Sequence, residues 1–198
     1  MRFIIFDLEA TCDENTSNFD NEIIEIGAVQ FEDKIRVGSF QSYVHPKVNP
    51  ILTPFCKKLT SITQQDIDRA EYFPTALKKF LEWTGNNALF CSWGFYDKKQ
   101  MIKDCIRHGL NYDFIYNHIS LKHQFHKVHI AYPVPARGVG MDAALKMLNL
   151  PLTGRHHRGI DDAENIAKIF LKYYDYEVKI YRHSYYCLKA VIFLSIFV

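Results

Sequence analysis

Apolar and polar positions divide this chain into short runs with clear periods. Residues 2–8 (RFIIFDL) form an apolar run rich in strand formers, with the length of a buried β-strand. Ile23–Phe31 (IIEIGAVQF) and Lys34–Val44 are two more candidate strands flanking Glu32-Asp33, a tight hairpin signal. The polar stretch DENTSNFDN between Asp13 and Asn21 predicts a loop. His45–Thr60 carries three prolines and reads as irregular, leading to a helix start at Thr63 with Asp66 three residues later. Phe73, Leu77, Phe80 and Leu81 are spaced as one helical face within 70–83. Beyond them the pattern predicts a strand over 87–92 and a helix over 96–108 halted by Gly109. A short strand running into a helix follows over 115–125, and a loop with Pro133 and Pro135 over 129–138. Helices over 139–148 and 160–174 complete the pattern.

A meander of strands followed by alternating strands and helices predicts an α/β fold, a mixed five-stranded sheet with helices on both faces. The chain has 198 residues, 48% of them hydrophobic and 15% aromatic, enough for one compact domain. That domain is expected over 1–176, with 177–198 as a C-terminal apolar extension. Residues Cys187–Val198 read CLKAVIFLSIFV, too short for a membrane-spanning helix of about 20 residues. They suit a last helix or strand on the core, and also a dimer patch or a membrane-surface contact.

Charge changes the picture little: 24 basic against 22 acidic residues leave +2. No basic arm advertises nucleic acid, although acidic metal ligands would mask a basic surface in the sum. The five cysteines are odd in number and lack CxxC spacing, so no zinc site or disulfide framework is suggested and a reducing, cytoplasmic setting is expected. Met1-Arg2 leads straight into the first strand, so no secretory signal is expected.

The candidate chemistry lies in three blocks. In the first, strand alternation sends Asp7 and Glu9 to one face and Leu8 to the other, at the C-terminal end of a buried strand. The second, Trp93-Gly94-Phe95-Tyr96-Asp97, puts Asp97 in the first turn of a helix, where the helix dipole alone would favour an acid. Its aromatics suit core packing or stacking on bases. In the third, GRHHRGIDDAENIAKIFLKYY, the pairs His156/Asp161 and His157/Asp162 share one spacing. Asp161 falls on a polar stripe with Glu164, Asn165, Lys168 and Lys172, whereas Asp162 shares its side with Ile166, Ile169 and Phe170. A carboxylate on the buried side needs a partner, and a metal is a good one. Asp162 is therefore the expected ligand. His157, in the Gly154–Gly159 loop, is the expected proton acceptor, with His156 a spectator. Four carboxylates in one small space call for positive charge, which two divalent cations supply.

In this order the blocks resemble the DEDDh superfamily of 3′–5′ exonucleases, with its ribonuclease-H-like fold. Asp7 and Glu9 match its first motif, Asp97 the second, and His157 with Asp162 the third. Within the superfamily the chain is most similar to the Eri-1/KapD type. That similarity is carried by Phe55-Cys56, Leu59-Thr60-Ser61-Ile62-Thr63-Gln64, Phe73-Pro74, Ser92-Trp93-Gly94 and His157–Asp162. Proofreading members more often carry asparagine where this chain has Trp93, which favours the RNA-processing branch. The resemblance implies two Mg²⁺ or Mn²⁺ ions on Asp7, Glu9, Asp97 and Asp162, RNA 3′ ends as partner, and nucleoside 5′-monophosphates as products. It also implies that Leu8, Ala10, Thr11 and Ile62 meet the terminal nucleotide, with Trp93 and Tyr96 beside them. The alternatives are a DNA-directed 3′–5′ exonuclease and a non-catalytic nucleic-acid-binding module.

Overall fold

In a computed structural model, the structure describes residues 1–14, 19–130 and 138–174. The predicted extension over 177–198 lies outside them, as does most of the predicted 129–138 loop.

Strand β1 (Arg2–Ala10) sits inside a mixed sheet. It pairs antiparallel with β2 (Ile23–Glu32), which turns through Asp33 (φ +54°) into antiparallel β3 (Ile35–His45). On its other side β1 pairs parallel with β5 (Leu89–Ser92), which pairs parallel with β6 (His118–Ser120). Among the described residues the sheet has six strands, in the order β4 (Glu71–Tyr72)-β3-β2-β1-β5-β6. The strand absent from the five-strand expectation is β4 (Glu71–Tyr72), which pairs with Val44 and His45. Two residues are too few to show an alternating pattern, and only the nearby β3 edge makes them a strand.

The helices are α1 (Pro54–Thr60), α2 (Gln64–Asp68), α3 (Phe73–Thr84), α4 (Tyr96–Arg107), α5 (Leu121–His129), α6 (Met141–Met147) and α7 (159–174). A 3₁₀ turn spans Asp113–Tyr116. Helix α1 corrects the irregular reading of 45–60. Thr53 caps it by accepting from the Cys56 N–H, and Pro54 occupies its first turn, where its missing N–H costs nothing. At α2 the expected start is a full capping box: Thr63 and Asp66 satisfy each other's backbone N–H groups.

Alternation along β1 divides the core. Phe3 and Ile5 face a cluster with Leu121 and Phe125 of α5, Leu145 of α6 and Ile166, Ile169 and Phe170 of α7. Ile4, Phe6 and Leu8 face Phe73, Leu77 and Phe80 of α3 with Met101 and Cys105 of α4. Asp7 and Glu9 continue the Phe3–Ile5 row. The acids thus stand where one buried face of the sheet reaches its end. Among the described residues, no helix is long and apolar enough to cross a membrane.

Candidate active site

A cleft of about 450 Å³ opens at the C-terminal ends of β1 and β5. Asp7, Glu9, Asp97, His157 and Asp162 all line it, so the structure brings the five predicted residues together. Ligand oxygens of Asp7, Glu9 and Asp162 lie within 4.8 Å of one another. Asp97 enters from the first turn of α4, where its Oδ1 accepts the Leu8 N–H at 3.3 Å. This bond ties the second motif to the strand carrying the first.

Glu9, Asp97 and Asp162 are buried, at 8%, 5% and 4% exposure. Burial, then the charges of Asp97, Glu9, Asp162 and Glu25, holds the Asp7 carboxyl well above the usual carboxylate range. Glu9 is pushed up to about 8 by burial and by the charges of Asp162, Glu25 and Asp97. Asp97 rises to about 6, chiefly by burial, against the lowering effect of backbone bonds from Leu8 and its own N–H. Buried acids that raise one another's pKa are what a cation of charge +2 would relieve. The donors are hard carboxylate oxygens, which suit Mg²⁺ or Mn²⁺. The residues present therefore fit a divalent cation.

The third motif is built around Asp162 on the first turn of α7. Its N–H donates to the Arg158 carbonyl at 2.8 Å, which starts the helix. Its Oδ2 accepts the His157 N–H at 2.9 Å and lies 3.0 Å from His156 Nδ1. Asp161 points away and accepts the Arg155 N–H at 2.8 Å, closing the loop. His157 sits in the left-handed region (φ +65°) with its ring 4.1 Å from that of His156. Burial, then the charge of His156, holds its imidazole below the usual histidine range. It is therefore neutral at pH 7 and able to accept a proton.

Leu8, Ala10, Trp93 and Tyr96 also line the cleft. Trp93 is braced from behind, with its indole N–H on the Val139 carbonyl at 3.1 Å and its ring 5.8 Å from Phe125. Phe95 turns aside, 4.6 Å from His123. Two expected contacts do not reach the cleft wall. Thr11 is 2% exposed and its hydroxyl accepts the Glu22 N–H at 2.9 Å, so its polar group is spent on the backbone. Ile62, 1% exposed, packs with Ile24, Leu52, Cys56 and Ile67 beneath α1, because the hidden helix turns it inward. Residues missed in the sequence take part instead: Cys12, Leu59, Lys122, Met141, Asp142 and His156. Leu59 lies three residues before Ile62 on the same segment, the one signal that would have found it. His156 stands in the third block, where it was expected to be a spectator, and Cys12 follows the first; Lys122, Met141 and Asp142 come from parts of the chain that carry no motif.

A mixed sheet ending in four carboxylates from three chain segments defines the ribonuclease-H-like nucleases as a class. A family model described as Exonuclease matches residues 4–170. The nuclease domain of 3′hExo, a DEDDh family member solved bound to rAMP, superposes with a TM-score of 0.79 at 32% identity. That match covers 87% of this chain and 90% of the other. A 3′-exonuclease solved for its 3′-end-specific recognition of the histone mRNA stem-loop gives 0.78 at 32% identity, covering 87% and 80%. The 3′-5′ exoribonuclease 1 of Rattus norvegicus is 35% identical over 185 residues, covering 85% of this chain and 51% of its own length. The chain belongs to the Eri-1-type branch of the DEDDh exonuclease family. It spans about half the length of the curated relatives it matches.

Proposed function

We propose that this chain is a metal-dependent 3′–5′ exoribonuclease that removes nucleoside 5′-monophosphates from the 3′ end of mostly single-stranded RNA. The observation that carries this reading is the convergence of Asp7, Glu9, Asp97 and Asp162 on one cleft beside a neutral His157. The relatives named as exoribonucleases, and the similar 3′-exonuclease solved for its recognition of the histone mRNA stem-loop, support RNA as the substrate.

Asp7, Glu9, Asp97 and Asp162 would hold two Mg²⁺ or Mn²⁺ ions. When bound, such ions neutralise charge on the scissile phosphate and lower the pKa of the attacking water. His157 takes the proton of that water through its imidazole, which is unprotonated at neutral pH because burial depresses its basicity. Trp93 and Tyr96 form the aromatic wall against which a terminal base lies, and Leu8 and Ala10 form the floor. The fixed indole of Trp93 keeps that wall from collapsing into the cleft.

The test is digestion of matched 3′- and 5′-labelled RNA and DNA oligomers, with Mg²⁺ or Mn²⁺ and with EDTA. Mononucleotides released from the 3′ end of RNA, faster than from DNA and only with metal, are expected. Faster loss of DNA would make the chain a deoxyribonuclease. Absence of mononucleotides would overturn the enzyme reading.

A further inference from the structure

Glu25 stands in β2 directly across the ladder from Glu9, with its side chain entirely out of solvent. It does not line the cleft. A carboxylate buried this deeply persists only when paired and fully hydrogen-bonded. Both its oxygens are engaged. Oε1 accepts from Gln41 Nε2 on β3 at 2.7 Å. Oε2 accepts from Arg158 Nε at 3.2 Å and from the Gly159 N–H at 3.1 Å. Tyr43 of β3 holds Arg158 from the far side. Its hydroxyl accepts from Arg158 Nη2, and the guanidinium carbon lies 5.5 Å from its ring centroid.

These contacts clamp the chain between His157 and Asp162. Gly159 opens α7, and the Arg158 carbonyl receives the Asp162 N–H. Close approach is allowed because β2 has no side chain at Gly27, where a Cβ would lie 2.0 Å from the Gly159 carbonyl carbon. The clamp has strain to oppose. His157 is held at φ +65°, a conformation that a side-chain-bearing residue keeps only when its surroundings impose it.

We propose that Glu25 is a positioning residue: through Arg158 and the Gly159 N–H it fixes the loop that presents His157 and Asp162 to the cleft. Glu25 does not line the cleft and reaches His157 and Asp162 through that loop, while its charge also raises the carboxyls of Asp7 and Glu9. It thereby couples the third motif to the strand paired with the first.

Glu25→Gln keeps the size of the side chain and replaces one acceptor oxygen with a donor. Hydrogen-exchange mass spectrometry on the full chain, without substrate or metal, reads the loop directly. Peptides covering 155–163 should exchange at least about tenfold faster in the variant, while peptides from β1 and β5 keep wild-type rates. With 3′-labelled RNA, kcat should fall by about 10–100-fold, the usual cost of losing a supporting hydrogen bond behind a metal ligand. KM should stay within about threefold, because no substrate contact is removed. If Glu25→Gln does not fold, Arg158→Lys keeps the charge, removes the guanidinium fork and carries the same expectations. Unchanged exchange over 155–163 overturns the proposal, as does acceleration spread evenly over the chain or a wild-type kcat. The kinetic arm rests on the nuclease reading. If the wild-type chain releases no mononucleotide, that reading fails and the exchange arm alone decides the clamp.

Discussion

Nδ1 of His156 lies 3.0 Å from Oδ2 of Asp162, the same oxygen that accepts the backbone N–H of His157. Adjacent histidines thus meet one carboxylate differently, the first by its ring and the second by its main chain. The ring of His157 is not tied to Asp162 and is left for chemistry. His157→Ala should therefore lower kcat by about 10²–10⁴-fold, the usual worth of a general base. His156→Ala, which removes a ring contact to the Asp162 carboxylate, should cost about 10–100-fold. Single-turnover release of mononucleotide from labelled RNA checks both. Because the His157 imidazole is held below its ordinary value of 6.5, the base stays unprotonated further into acid. The acid limb of the wild-type rate profile should be centred below that value.

Asp161 and Asp162 are neighbours with separate duties. Asp162→Asn removes a charge at 4% exposure within the carboxylate cluster and should cost about 10²–10³-fold or more in kcat. Asp161→Asn keeps an oxygen for the Arg155 N–H and should leave kcat within about threefold. The same release assay compares the two.

The crowded acids make the metal-free protein sensitive to alkali. The folded-state values of Glu9 and Asp97 are raised, to about 8 and about 6, from ordinary values of 4.5 and 3.8. Raised acids contribute stability that is full below the unfolded value and is lost as pH climbs through the folded one. In EDTA, the thermal midpoint should therefore fall between pH 5 and pH 8, as first Asp97 and then Glu9 ionise. About 1 kcal/mol moves the midpoint by ~2–4 °C in a chain of this size, so differential scanning fluorimetry resolves the effect. A midpoint that rises over this window would contradict it.

Metal should reverse that loss. A ligand at 100 times its Kd stabilises the folded state by about 2.7 kcal/mol. Mn²⁺ or Mg²⁺ at pH 8 should therefore raise the midpoint by several degrees. Asp7→Asn, which removes a carboxylate from the group whose oxygens lie within 4.8 Å of one another, should abolish most of that rise. The comparison needs only thermal scans with and without metal.

A methyl group at position 27 has nowhere to go, since its carbon would meet the Gly159 backbone at 2.0 Å. Gly27→Ala should destabilise the chain by about 1–3 kcal/mol or more through overpacking, and displace the loop bearing His157. Gly38→Ala, whose nearest contact would be the Trp83 indole at 3.5 Å, is the control and should leave the activity unchanged. Thermal midpoints and nuclease rates of the two variants test the difference.

The hairpin across Asp33, the capping box at Thr63 and the choice of Asp162 over Asp161 were all legible in the residues. Each depends on a local pattern: turn chemistry, cap spacing or a helical face. Helix α1 was harder to see. Counting the prolines of 45–60 hid Thr53-Pro54, itself a helix-start signal. Ile62 and Thr11 went astray for a tertiary reason, since packing beneath α1 and a backbone N–H from Glu22 took up the groups expected to meet substrate. Glu25 reads in sequence only as one charge in an apolar strand.

By itself the sequence determined most of the strand and helix order and singled out the five residues that the fold gathers at the cleft. Those properties follow from spacing along the chain, because alternation and helical period decide which side chains share a face. Only the tertiary structure decided which groups stand around that centre. It set His156 against Asp162, folded α1 over Ile62, and laid the Arg158–Gly159 turn onto Glu25 across a space that Gly27 leaves open. The last of these joins residues more than a hundred positions apart, and it forms only when the sheet brings those segments together.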